Sequence, residues 1–179
     1  SWVNRRLFGS WGQKLLYSIL GAALLMGAYF GTNKIIPILN PNTILFREAD
    51  RPAMTWIDQN LPVDARFLIN PFLWGYGFFA GADGGYWITP ITGRNTTPAT
   101  LLYASSPRST VQQINRMAKD TLDLAKDPSR LAERMKEEGI QYLYIGRRGG
   151  ALSPKQLGES GLFETLYRQD GVWIFKINP

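Results

Sequence analysis

Apolar residues are unevenly spread along this chain. Leu15–Gly31 (LLYSILGAALLMGAYFG) is almost wholly apolar, and no charge falls between Lys14 and Lys34. As a helix, this uncharged stretch would have about 19 residues and a length of roughly 28 Å, close to the ~30 Å hydrocarbon core of a bilayer. Tyr17, Tyr29 and Phe30 lie toward its ends, where aromatic rings favour the membrane interface. Gly21, Ala22, Ala23, Gly27 and Ala28 are small and would let a neighbouring helix approach closely. The pattern predicts a transmembrane helix over residues 15–33. A cleaved signal peptide and a buried core helix are the alternatives, although no small-x-small cleavage site with a polar start after it precedes Pro37. Arg5, Arg6 and Lys14 flank the N-terminal side, which predicts a cytoplasmic segment 1–14 and an extracytoplasmic remainder.

Beyond the apolar stretch the pattern becomes that of a folded domain. Residues 34–47 (KIIPILNPNTILFR) carry prolines and an Asn-Pro-Asn turn signal and read as a connector along the membrane face. The domain then covers residues 48–179. Ala53, Trp56 and Ile57 lie at helical spacing within 48–60, which Leu61-Pro62 ends. Residues 65–70 (ARFLIN) form a short apolar run bounded by turn residues, as in a buried strand. Pro71–Gly85 fits neither period, Tyr86–Thr92 reads as a strand broken by Pro90, and Gly93–Tyr103 reads as a polar loop.

Two helices are predicted next, over 109–125 and 129–138, the second opened by Asp127-Pro128 and stopped by Gly139. A strand over 140–146 and a short helix over 154–159 follow. Gln169-Asp170-Gly171 between two apolar runs is the strongest hairpin signal in the chain, pairing 163–168 with 172–177. The predicted fold is mixed α/β, a small sheet with flanking helices, preceded by one transmembrane helix.

Composition removes several chemistries. The 179 residues include no cysteine and no histidine, so disulfides, thiolate nucleophiles, Cys/His zinc sites and serine–histidine triads are excluded within the chain. No cofactor or metal is expected. The net charge of +6 is not gathered in a basic run, and half of the excess sits just before the apolar stretch, which speaks for membrane topology and against nucleic acid.

The unusual segment is Trp74–Thr97 (WGYGFFAGADGGYWITPITGRNTT). It is too aromatic to be disordered, and long irregular segments inside a compact domain tend to be functional. Trp74, Tyr76, Tyr86 and Trp87 could stack on sugar faces or sit at a membrane interface, and Asp83 and Arg94 are its only charged residues. These six are the candidate substrate-binding residues. The plainer alternative has the rings pack against lipid or a partner helix while Asp83 caps a turn. Gly81–Gly85 lacks the Lys-Ser/Thr of a phosphate loop, and no helix is predicted to begin there. Arg147-Arg148-Gly149-Gly150 could bind an anion or be a solvated loop. Asp58, Asp64, Asp120, Asp123 and Asp127 read as surface residues and caps, and no carboxylate pair is set by spacing as an acid/base couple.

The order of motifs resembles the C-terminal part of bacterial GT-C-type membrane glycosyltransferases. The residues that carry it are Asn40–Thr43 (NPNT), Ala53, Trp56, Ile57, Asn60, Pro62 and Ala65–Leu68, then Asp83–Arg94 (DGGYWITPITGR), Gly139–Gly146 and the closing Phe163–Ile177. Asp83–Trp87 with Gly93, Arg94 and Thr96 is more remotely similar to the acceptor-binding motif of the oligosaccharyltransferase catalytic subunit. The paired tryptophans and the Asp-Tyr-Gly order of that motif are absent, so peptide recognition does not carry over. The resemblance implies a non-catalytic extracytoplasmic domain of an enzyme that uses a polyprenyl-phosphate sugar, with catalytic carboxylates in upstream loops and a role in acceptor binding. It also implies the bilayer, other transmembrane helices of the same protein, and a sugar or acceptor ligand as partners. The alternative from another class is a single-span accessory or structural subunit of a membrane complex.

Overall fold

The computed structural model describes residues 10–35 and 43–179 and divides the chain into two compact units, Ser1–Ile44 and Leu45–Pro179. Most of the predicted cytoplasmic segment (residues 1–9) and half of the connector (residues 36–42) lie outside the described residues.

In the first unit, helix α1 (Ser10–Ile35) is longer than the predicted 15–33 at both ends, and Lys34 belongs to it rather than to the connector. Its 26 residues give a length of about 39 Å. Trp11–Ile35 has a mean hydropathy of 1.6 in its most apolar window, none of which is buried by protein. Leu24 and Leu25 are each 74% exposed. The helix is long and apolar enough to cross a membrane.

The second unit is an α/β domain. Its elements in chain order are α2 (Asp50–Asn60), β1 (Arg66–Ile69), β2 (Pro71–Gly75), β3 (Phe78–Gly81), a 3-10 turn (Gly84–Trp87), α3 (Ile88–Thr92) and β4 (Asn95–Thr97). A second 3-10 turn (Leu101–Ser105), α4 (Arg108–Asp123), α5 (Pro128–Glu137), β5 (Tyr142–Ile145), α6 (Pro154–Glu159), β6 (Phe163–Gln169) and β7 (Val172–Ile177) follow. Five strands form one sheet in the order β4-β1-β5-β7-β6, with β4, β1 and β5 parallel and β7 antiparallel to both β5 and β6. β2 and β3 form a separate antiparallel hairpin.

Strand alternation gives this sheet two apolar faces. Phe67, Ile69, Tyr142, Tyr144, Val172 and Ile174 face α2 and α3 through Ala53, Met54, Ile57 and Ile88. Leu68, Leu143, Ile145, Phe175 and Ile177 pack with Met117, Leu131, Met135 and Leu157 from the helices of the other layer. Central strands covered on both faces must be apolar at nearly every position, which is why 67–69 and 142–145 read as continuous runs.

The sequence expectations differ from the structure in one stretch. Tyr86–Thr92 is no strand: it completes the 3-10 turn and then forms α3, with Ile88 and Thr92 buried one helical turn apart and Gly93 closing the helix at φ 74°. A helical segment thus does begin at Gly84. Pro71–Gly85 contains a hairpin hidden by its mixture of glycines and aromatic rings, and a bulge between Leu73 and Gly75 spoils its alternation. Gly93–Tyr103 holds the edge strand β4.

Candidate functional site

Parallel strands β1 and β5 end side by side. The chain leaving β1 runs through the β2–β3 hairpin to β4 on one edge, whereas the chain leaving β5 runs through α6 to β6 on the other. Between such diverging connections an open α/β sheet has its topological switch point, the usual position of a ligand crevice. In this protein side chains fill it. Asn70 follows β1 and is fully buried; its amide donates to Asp83 Oδ2 at 2.8 Å, and its Oδ1 accepts from Leu152 N–H at 2.9 Å. Asp83, also fully buried, accepts from Gly85 N–H on Oδ1 (2.9 Å) and from Gly146 N–H on Oδ2 (2.8 Å).

A second buried carboxylate stands beside the first. Asp50 lies in the first turn of α2 and accepts from the Tyr144 hydroxyl (2.8 Å) and Arg147 N–H (3.0 Å) on Oδ1, and from Arg47 N–H (2.7 Å) on Oδ2. The Asp50 N–H returns a bond to Arg47 O at 2.9 Å, a reciprocal arrangement that also starts the helix. Glycines let the groups approach. A Cβ on Gly84 would sit 2.5 Å from Asp50 Cγ, and one on Gly146 would sit 2.8 Å from both Asp50 Oδ1 and Gly84 N.

Electrostatics follow from this packing. Burial pushes the Asp83 carboxyl up from 3.8 to about 6; the bonds from Asn70, Gly146 and Gly85 oppose that rise, and the nearby Asp50 charge adds to it. Burial first, and Asp50 second, hold the Tyr144 hydroxyl well above its ordinary range, so it stays a donor. All four carboxylate oxygens accept from protein donors, so the cluster works as a clamp joining α2, β1, β5 and the Gly84 turn. Among the described residues no group of three or more Asp, Glu, His or Cys side chains gathers as a metal cage.

The six sequence candidates separate in space. Asp83 is in the clamp. Arg94 is 7% exposed and turns inward, donating to the carbonyls of Asp58 (3.0 Å), Leu61 (3.0 Å) and Thr92 (2.6 Å) and to the Asp58 carboxylate. The half-buried Tyr86 presents its hydroxyl oxygen to Leu101 N–H at 3.0 Å. Trp87 is 44% exposed and meets Phe46 edge-on at 6.5 Å. Trp74 and Tyr76 project from the β2–β3 hairpin into solvent. Asp83 and Arg94 therefore hold the scaffold from inside, and only the aromatic candidates offer surface to a ligand. In the arginine loop, Arg148 donates to the Ala82 carbonyl and so ties that loop to the clamp as well.

Two grooves run beside α2, and sequence reading missed both. One, of about 340 Å³, is lined by Phe46, Arg51, Met54, Thr55, Asp58 and Ile91. The other, of about 510 Å³, lies between α2 and the β6–β7 hairpin, where Trp56 and Tyr167 meet at 5.6 Å and Arg51, Thr55, Gln59 and Gln169 supply polar atoms. Trp56 reads from the sequence as part of the apolar stripe of α2, and Tyr167, more than a hundred positions away, gives no sequence signal. Asp50 and Asn70 were missed too, since each reads as an ordinary helix-start or strand-end residue.

No protein-family model matches the chain, and no curated protein sequence is significantly similar to it.

Proposed function

We propose that this chain is the last membrane span and the extracytoplasmic domain of a GT-C-like, polyprenyl-phosphate-sugar-dependent membrane glycosyltransferase, with the domain helping to bind acceptor rather than performing the chemistry. The observation that carries the acceptor role is the pair of grooves that share Arg51 and Thr55 on α2. Aromatic rings next to guanidinium, hydroxyl and amide groups are the surface a sugar needs: its C–H face packs on a ring and its hydroxyls find hydrogen bonds. Trp56 and Tyr167 supply the rings in one groove, and Phe46, with Trp87 beside it, does so in the other. The motif order and the uncovered apolar helix support the enzyme class. Basic residues before that helix support a cytoplasmic N-terminal side and an extracytoplasmic domain. Other spans would pack on α1 at Gly27 and Gly31, one turn apart, with open space where each Cβ would stand.

In membranes holding the full-length protein, sugar transfer from a polyprenyl-phosphate donor is expected. Losing one stacking ring, in Trp56→Ala or Trp87→Ala, is expected to raise the acceptor KM roughly tenfold with little change in kcat. Transfer with unchanged KM in both variants would overturn the acceptor role. Absence of transfer, together with isolation of a stable complex in which α1 is the subunit's only span, would favour the accessory-subunit alternative.

A further inference from the structure

We propose that the β2–β3 hairpin tip and the adjoining face of α4 form a docking surface for a bilayer bearing anionic headgroups. The proposal rests on the membrane-anchored part of the reading above, not on the glycosyltransferase part.

The hairpin presents an apolar tip that no described residue covers. Leu73 is 60% exposed, Trp74 61%, and the Tyr76 side chain is completely exposed. Its base is held firmly: Phe79 N–H donates to the Tyr103 hydroxyl at 2.8 Å, that hydroxyl donates to Asn115 Oδ1 at 2.6 Å, and Asn115 Nδ2 donates to Gly77 O at 2.8 Å. A rigid base under an uncovered aromatic tip suits insertion into a medium rather than closure over a small ligand. Backbone conformation points the same way. Tyr76 sits at φ 52°, a left-handed position that is unfavourable for a bulky side chain. Glycine would fill that position without the cost, and the ring gains nothing from the protein in return.

Charge complements the apolar tip. Phe79 of β3 adjoins Gln112, Asn115, Arg116 and Lys119 along a groove of about 480 Å³. Arg116 and Lys119 are exposed, and neither takes part in an ion pair among the described residues. Asp123, one turn beyond Lys119, is the acidic residue at the far end of that face. An aromatic tip with two exposed cations next to it matches the layered chemistry of a membrane surface, where rings settle at headgroup depth and lysine or arginine meets lipid phosphate.

The chain has no cysteine, so single-cysteine variants report one position at a time. The full chain is reconstituted into phosphatidylcholine vesicles with and without phosphatidylglycerol. An environment-sensitive fluorophore is placed at Leu73→Cys, at Tyr76→Cys, at Leu20→Cys in α1 and at Glu133→Cys on α5. Spin-labelled lipid is the quencher. Loss of emission is expected at positions 20, 73 and 76 and not at 133, with more loss at 73 and 76 when phosphatidylglycerol is present. Adding Arg116→Glu and Lys119→Glu is expected to lower the docked fraction in those vesicles by about tenfold or more. Quenching at position 20 with none at 73 or 76 would overturn the docking surface and leave the span intact. No quenching at position 20 would overturn the span itself, and the docking surface with it.

Discussion

The Gly146 amide donates to the Asp83 carboxylate at 2.8 Å, across 63 positions of sequence. This bond joins the end of the central strand β5 to the turn that opens the Gly84 3-10 segment. With Asn70 on the same oxygen, it closes the crevice that the β1–β5 switch point would otherwise leave open. In the reading proposed above, acceptor binding falls instead to the grooves beside α2.

Space at the clamp is fully used, so Gly146→Ala is expected to destabilise the domain by about 2–3 kcal/mol. The added methyl would stand 2.8 Å from Asp50 Oδ1 and 2.8 Å from Gly84 N, both inside the packed core. Gly149→Ala, in the loop that follows β5, meets no atom within 4 Å but stands at φ 73° and so tests backbone strain alone. Denaturant midpoints of the two variants separate steric from backbone effects; a Gly146→Ala midpoint equal to that of the native chain would contradict the tight clamp.

Asp83 gives the domain a pH dependence of definite sign. Its carboxyl titrates at about 6 when folded and near 3.8 when unfolded. The folded state therefore holds the proton more tightly, and the contribution to stability grows as pH falls from about 6 toward 3.8 and is lost as pH rises through 6. The whole span corresponds to about 3 kcal/mol, of which about 1 kcal/mol falls between about pH 7 and about pH 5. Asp83→Asn removes the titration. Denaturant midpoints of both proteins at the two pH values check it: the native chain is expected to gain on Asp83→Asn at the lower pH, and a constant gap would contradict the burial effect.

Most of the scaffold was legible in the sequence, for physical reasons that also mark where legibility ended. α4 and α5 carry apolar spacing, Asp127-Pro128 and Ser153-Pro154 open α5 and α6, and Asp170-Gly171 supplies the positive φ values (50° and 81°) of the β6–β7 turn. Local signals fail where tertiary contacts choose the structure. Tyr86–Thr92 has the β-branched content of a strand, yet burial of Ile88 and Thr92 one turn apart makes it a helix. Asp83 stands out in the sequence for its setting among rings, but its partners Asn70 and Gly146 are brought together only by the β1–β5 pairing, and Asp50 only by the packing of α2 on the sheet. The hairpin tip could be seen as aromatic, but not as exposed.

Arg94 and Asp58 form a pair of unequal partners. The arginine is buried and serves three carbonyls, whereas the Asp58 side chain is 63% exposed. Arg94→Lys, which cannot reach the same acceptors with a fork of donors, is expected to cost about 2–3 kcal/mol. Asp58→Asn is expected to cost under about 1 kcal/mol, as for an exposed pair. Thermal denaturation of both variants checks the order, and equal losses would contradict it.

Tyr76 is expected to trade stability for membrane contact. Tyr76→Gly relieves the left-handed backbone position and should raise domain stability by up to about 1 kcal/mol while weakening quenching of a Leu73→Cys label by lipid. Denaturant midpoints and the vesicle measurement are read on the same preparation. A destabilised Tyr76→Gly would contradict the strain assigned to this backbone position.

The most direct test of the central claim is the intact mass of the native polypeptide extracted from its own membrane. A polypeptide several times the mass of the 179-residue chain, with many apolar spans before α1, is the predicted result. A polypeptide of about the same mass as the chain itself, with α1 as its single span, would contradict the glycosyltransferase assignment and make this molecule an accessory subunit.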